Sequence, residues 1–185
     1  MKNILKTGFI LFVICAFSAG LCGVVNSITA PKIAENIRQE QLKAYDAVAS
    51  GMEIGEETAV DGVKGVVSAL PLSRDGKAEG VILNLTGNGY GGEFSIIASY
   101  SFDGKLLKAK MMGNGETPGL GKKSEQAWYM EMFEGKGSDV PLPAAKSDLP
   151  ADKAQAVSGA SITFGGVSAA LRNGSEYVKT LGGAL

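Results

Sequence analysis

No charged residue occurs between Lys6 and Lys32, and the stretch from Gly8 to Val25 is almost entirely apolar. This run constrains the chain more than any other feature, because about 20 apolar residues wound as a helix cross a bilayer. A cleaved signal sequence has a shorter apolar region, about 7–15 residues, and a small-residue cleavage site after it. No A-x-A pattern follows here, and Ile14 and Leu21 are too large to precede a lipidated Cys15 or Cys22. The reading is therefore a retained transmembrane anchor, residues 1–31. The terminal amine, Lys2 and Lys6 favour an N-terminus inside the cell. Lys32, Arg38 and Lys43 follow the apolar run, accompanied by Glu35, Glu40 and Asp46. The expected topology is single-pass in the inner (cytoplasmic) membrane, in contact with lipid, with residues 32–185 extracytoplasmic.

Residues 32–48 mix both signs of charge with Ile33, Ile37, Leu42 and Val48, which predicts an amphipathic stalk helix over 32–50. The remainder, 51–185, is long enough for one domain with its own core. Val60–Leu72 and Gly80–Thr86 read as strands, with 87–92 ("GNGYGG") as a glycine-rich turn between strands. Phe94, Ile96, Ala98, Tyr100 and Phe102 alternate with polar residues, and Leu107, Ala109 and Met111 do the same beyond Asp103-Gly104. That period of 2 on both sides of a tight turn predicts an antiparallel hairpin with one buried face. A short helix is expected around Ser124–Glu134 and a surface loop over Gly135–Asp152. Phe164, Val167, Leu171, Val178 and Leu181 fall at helical spacing, so a terminal helix closes the chain. Anchor, stalk, antiparallel sheet and flanking helices make the fold class α+β.

Two absences narrow the chemistry. The chain has no histidine, which removes histidine-based acid–base catalysis and most zinc or haem ligation. Its two cysteines lie in the apolar run, so the rest has no thiolate metal site of its own. Redox chemistry in this domain needs an organic cofactor. A formal net charge of −1 argues against a nucleic-acid partner.

Two stretches invite functional reading. "AVSGASITFGG" (156–166) sets small residues and the hydroxyls of Ser158, Ser161 and Thr163 just before a helix. The free N–H groups of such a helix start suit a phosphate, the hydroxyls suit modification, and Ser or Thr there also serves as a plain helix cap. "GETPGLGKK" (115–123) is either a functional loop or an ordinary Pro-Gly turn. Tyr90 between glycines is suited to stacking on a planar ligand, although core packing is the commoner use; Trp128 and Tyr129 are suited to face a cofactor or the core, with the core the favoured reading, and Met130 and Met132 read as packing.

Together, "VNSITAPKI" after the anchor, "GYGG", the hairpin with "DGKL" at its turn, "ETPGLG" and "SGASIT" run in order along the whole chain. In this the sequence resembles the flavin-carrying G subunit of Rnf complexes and, more distantly, the C subunit of sodium-pumping NADH:quinone oxidoreductases. The resemblance implies an extracytoplasmic FMN-binding domain with FMN covalently held by a phosphoester to a hydroxyl residue, attached by a separate flavin transferase. The family's attachment threonine, last in S-G-A-T, falls on Ser161, with Thr163 as the alternative. By the same resemblance Glu116, Thr117, Gly119, Leu120, Gly121 and Lys122 line the flavin, together with Ser158, Gly159, Ala160 and Thr163. Gln155 stands where the family usually has aspartate, with Asp152 nearby, and Asn114 where it often has histidine. The implied role is that of an electron relay within a membrane complex that oxidises ferredoxin, reduces NAD⁺ and pumps Na⁺ or H⁺; the other membrane and peripheral subunits are its partners. No catalysis by this chain alone, no catalytic residue and no metal are implied. Two rival readings use the same residues: a stand-alone extracytoplasmic flavoprotein serving extracellular electron transfer, or a non-redox cell-surface binding module.

Overall fold

The computed structural model describes residues 2–182, the side chains of Lys2 and Asn3 excepted. Met1 and the Lys2 side chain, two of the positive groups used for the topology, therefore lie outside the described residues. The chain divides into two units, residues 1–41 and 42–185.

In the first unit the backbone is a single helix. Helix α1, Lys2–Ala49, runs through Pro31 without interruption. Pro31 has no N–H to give to the preceding turn, and the hydroxyls of Ser27 and Thr29 bond back to the carbonyls of Gly23 and Val25 in the same stretch. The helix is long and apolar enough to cross a membrane, with a mean hydropathy of 2.5 in its most apolar window and none of that window buried. Ile33 and Ile37, expected to form the apolar stripe of a stalk, are exposed. The segment read as a stalk starts to bury only at Ala44.

The second unit is an antiparallel sheet covered on both faces. Its strands are β1 (Glu53–Ile54), β2 (Thr58–Ala59), β3 (Val66–Arg74), β4 (Lys77–Gly89), β5 (Gly92–Ser101) and β6 (Leu106–Asn114). The order is β1-β3-β4-β5-β6, with β2 also paired to β3. The helices that follow are α2 (Ala127–Glu131), α3 (Ala151–Ala156) and α4 (Ser161–Leu181), with 3-10 turns at Gly121–Glu125 and Lys146–Asp148. The α+β class expected from the sequence is the one observed.

Alternation on β5 assigns the two faces. Phe94, Ile96, Ala98 and Tyr100 join Phe164, Val167, Ala170, Leu171 and Val178 of α4 in one core, which also takes Tyr129 and Phe133. Ile97 points the other way, into a second cluster with Ala44, Tyr45, Val48, Ala49 and Met52. Ser99 is buried on that side too and donates to the Val48 carbonyl at 2.8 Å. The expected single buried face is thus corrected: the end of α1 covers the second one. A register shift opposite Ser99–Tyr100 also turns Leu107 toward the second cluster.

Other local expectations shift as well. Residues 60–65 bend before pairing begins, so β3 starts at Val66. β4 extends through Gly89 with Gly89 paired to Gly92, which leaves only Tyr90-Gly91 of the expected glycine-rich turn as the hairpin tip. The helix placed at Ser124–Glu134 is a 3-10 turn followed by the five-residue α2. Within the loop at 135–152, the Asp148 carboxylate accepts from the N–H groups of Ala144 and Ala145 at 2.8 and 3.0 Å, and these bonds hold its pKa below the usual carboxylate range.

Candidate functional site

The hairpin tip, the exit from β6 and the start of α4 meet at one carboxylate. Glu116 is only 3% exposed. Its Oε1 accepts the Gly91 N–H at 3.1 Å, and its Oε2 accepts the Thr163 hydroxyl at 2.8 Å. Its own N–H donates to Asn114 Oδ1 at 3.0 Å, which fixes the direction in which the chain leaves β6. These contacts join the "GYGG", "ETPGLG" and "SGASIT" stretches, which are far apart in sequence.

Local chemistry explains how each segment reaches the site. Thr117-Pro118-Gly119-Leu120 forms a turn closed by the Leu120 N–H to the Thr117 carbonyl at 3.2 Å. Proline presets its second position, and Gly119 supplies the positive φ of +77° that its third position requires. Gly91 and Gly121 serve a different purpose, close approach. A Cβ on Gly91 would sit 2.2 Å from the Gly115 carbonyl oxygen, and one on Gly121 would sit 2.2 Å from Glu116 Oε2. Gly121 therefore lets the backbone close onto the Glu116 side chain.

At the start of α4 the capping reading fails. The N-cap is Ala160, with no side-chain cap, and Ser161 is the first helical residue. The first-turn N–H groups are left without a side-chain acceptor, at the positive end of a 21-residue helix. Ser161 is exposed, and its hydroxyl bonds to no described residue; Thr163 is buried and committed to Glu116.

A cavity of about 490 Å³ opens between these segments, within the range usual for small-molecule sites. It is lined by Tyr90, Glu116, Thr117, Leu120, Gly121, Gly159, Ala160, Ser161, Ile162 and Thr163. Of the residues expected from the sequence, Gly119, Lys122 and Ser158 are not in the lining. Lys122 instead pairs with Glu125 at 3.1 Å, and Glu125 also accepts from Asn114. Ile162 is an addition to the expected set. Tyr90, for which core packing is the commoner use, is 74% exposed at the cavity mouth beside exposed Leu120 and Ile162. Its flanking glycines are the sequence signal for an exposed tip. Trp128 is half-buried at the core edge, with the Lys153 ammonium 5.6 Å from its ring centre, while Tyr129, Met130 and Met132 are buried as expected.

A larger opening, about 690 Å³, lies between residues 136–148 and the second half of α4. Its lining contains none of the motif residues, and several of its polar groups already have partners: Asp148 as above, and Ser175, whose hydroxyl donates to the Gly104 carbonyl. The smaller cavity is the candidate site. It suits a phosphorylated planar cofactor, with unused backbone donors and a free hydroxyl at one end and apolar Leu120, Ile162 and Tyr90 at its mouth.

The comparisons with known proteins agree with that class. The FMN-binding domain family matches residues 89–176, which include the hairpin tip, the loop and the α4 start, and the RnfG N-terminal region matches residues 1–48. This is a flavin-binding domain of the FMN-binding type, preceded by a long apolar helix. The chain is 32% identical to the G subunit of the ion-translocating oxidoreductase complex of Erwinia tasmaniensis, over 100% of this chain and 94% of that one. It is 26% identical, over 97% and 94%, to the G subunit of the Na(+)-translocating ferredoxin:NAD(+) oxidoreductase complex of Acetobacterium woodii. The solved C subunit of the Na(+)-translocating NADH-quinone reductase from Parabacteroides distasonis is 28% identical over 62% of each chain, with a TM-score of 0.45. The protein belongs to the family formed by the G subunits of ion-translocating oxidoreductase (Rnf) complexes.

Proposed function

We propose that this chain is the electron-relay subunit of an Rnf-type ion-translocating ferredoxin:NAD⁺ oxidoreductase and carries FMN through a phosphoester to Ser161 Oγ. The observation that carries the reading is the contrast between two hydroxyls. Ser161 is exposed at the uncapped start of α4, its hydroxyl bonds to no described residue and it lines the cavity, whereas Thr163 is buried and donates to Glu116. A separate flavin transferase can reach the first and not the second. The N–H groups of the first turn of α4 would hold the phosphate, with Leu120, Ile162 and Tyr90 against the ring. Glu116 supplies hydrogen-bond acceptor oxygens at the cavity wall, oriented by the Gly91 N–H and the Thr163 hydroxyl. Bound flavin would supply one-electron transfer. The protein environment holds and orients it, and covalent attachment prevents its loss outside the cytoplasm. The test is direct. After denaturing electrophoresis the wild-type band should fluoresce as flavin, and its intact mass should exceed that of the polypeptide by one FMN less water. A dark band of unmodified mass overturns the attachment.

The same reading puts residues 1–31 in the cytoplasmic membrane, in contact with lipid, and the flavin domain on its outer side. Ferredoxin and NAD⁺ are cytoplasmic, and about 30 Å of hydrocarbon separates them from that side. Redox centres in partner membrane subunits must make the crossing, so the isolated chain should be reduced by small dyes yet show no ferredoxin:NAD⁺ activity. Orientation is tested with Cys15 and Cys22 replaced by serine and one cysteine introduced at exposed Lys77. A membrane-impermeant maleimide should label it in intact cells. Labelling only after lysis would place the domain in the cytoplasm.

A further inference from the structure

The two segments that carry most of the cavity lining run past each other in opposite directions and meet at three points. Glu116 Oε2 accepts the Thr163 hydroxyl at 2.8 Å. Leu120 lies against Gly159, where an added Cβ would come 3.2 Å from Leu120 Cδ2. Lys123 Nζ donates to the Ala156 carbonyl at 3.0 Å. As the first segment advances by four residues and then three, the second retreats by four and three, so one register holds along the whole wall. Polar clasps close both ends, an apolar contact lies between them, and Ser161 falls between the Thr163 and Gly159 contacts.

The two segments are not equally anchored. The hydroxyl-bearing one is pinned by packing, with Val157, Ala160 and Phe164 all buried, and its turn is closed by the Ala160 N–H to the Val157 carbonyl at 3.2 Å. The opposite wall lacks such support. Leu120 is 42% exposed, the Leu120 and Lys122 N–H groups both donate to the Thr117 carbonyl, and the Lys122 ammonium reaches only Glu125. Among the described residues, the Lys123 ammonium makes the one hydrogen bond from 117–123 to a segment outside 114–126. Its acceptor has a matching need. Ala156 ends α3, so its carbonyl is one of those a helix leaves unpaired, and Ala160, which would serve it in a continuing helix, is committed to Val157.

We infer that Lys123 is a positioning residue for the cofactor: by donating to the Ala156 carbonyl it holds the 117–123 wall against the segment that carries Ser161, and so fixes the gap in which the ring is held. This rests on the proposed flavin site. Lys123 itself is not in the cavity lining and acts through Leu120 and the turn that carries it. Attachment does not depend on it, because Ser161 is exposed on the side that packing already pins. What depends on it is how firmly the attached ring is held.

The test compares Lys123→Met, Lys123→Arg and Lys122→Met in the full-length, detergent-solubilised, flavin-bearing protein, by circular dichroism in the visible flavin bands. A flavin ring owes that signal to fixed asymmetric surroundings, so a loosened ring loses it. Lys123→Met should lose at least half of the signal while its intact mass still includes the flavin. Lys123→Arg, which keeps a cationic donor, should restore most of it. Lys122→Met removes the same charge one position away, from a side chain turned to Glu125, and should leave the signal unchanged. In the flavin-free Ser161→Ala background, Lys123→Met should lower the melting temperature by only about 3 °C, the size of one lost hydrogen bond in a chain of this length. A wild-type signal in Lys123→Met, an equal loss in Lys122→Met, or no restoration by Lys123→Arg overturns the inference. So does a Lys123→Met protein that loses its flavin or fails to fold, since the lysine would then serve attachment or the core instead of the wall. A wild-type denatured band without flavin would overturn the site reading itself, and this inference with it.

Discussion

Ser161→Ala is expected to abolish flavin fluorescence from the denatured band completely and to return the intact mass to that of the bare polypeptide. The effect should be all-or-none because the structure offers no second acceptor on equal terms. Thr163 lies further into the first turn of α4, 1% exposed, with its hydroxyl proton already directed at Glu116 Oε2. Ser158 is exposed but outside the cavity lining. Ser161→Ala should also be nearly neutral for stability, since the lost hydroxyl makes no bond to any described residue. Thr163→Val supplies the contrast. It keeps the shape, retains the fluorescent band and removes one donor from a buried carboxylate, at a cost of about 1–3 kcal/mol. Fluorescence that survives Ser161→Ala and disappears in Thr163→Val would reverse the assignment.

Gly91→Ala should have the largest effect on the architecture of the site. The added Cβ would lie 2.2 Å from the Gly115 carbonyl oxygen and 2.8 Å from the Glu116 nitrogen, so backbone meets backbone and no side chain can swing aside. The hairpin tip must retreat from the 114–121 loop, which takes the Gly91 N–H away from Glu116. Overpacking of this kind costs about 1–3 kcal/mol, and a charged hydrogen bond adds about 1.5–3 kcal/mol. The melting temperature should fall by roughly 10 °C, given about 2–4 °C per kcal/mol for a chain of this length. Flavin incorporation should drop in parallel, because the tip carries Tyr90. An unchanged melting temperature together with full incorporation would show that the tip and Glu116 are not coupled.

The elements most legible in the sequence were those whose signal is periodic or covalent. An uninterrupted apolar run can only be a long helix in an apolar medium or a core, and α1 is such a helix. Alternation at 94–102 and the Asp-Gly turn specify a hairpin because side chains on a strand point to opposite faces in turn. The ordered motifs likewise marked most of the residues that line the cavity. Other features had no signal of that kind. Ser99 looks like a solvent-facing residue in a period-2 pattern, and only the packing of Val48 and its neighbours over that face buries it. Lys122 shares a motif with the cavity residues, yet Glu125, three residues on in the same 3-10 turn, draws it aside.

What the sequence determined by itself was the anchor, the antiparallel sheet and the chemical vocabulary of the site: hydroxyls at a helix start, tight glycine turns, and no histidine or thiolate outside the anchor. Local spacing and composition carry those facts, and they do not depend on what lies across the fold. Tertiary structure alone decided which hydroxyl is free, which is spoken for, and that a lone buried carboxylate joins the three motifs. Those depend on contacts between residues 25 and 47 positions apart. A hydrogen bond's partner is set by where distant segments come to rest, and the burial of Glu116 follows from packing rather than from any property of the residues beside it.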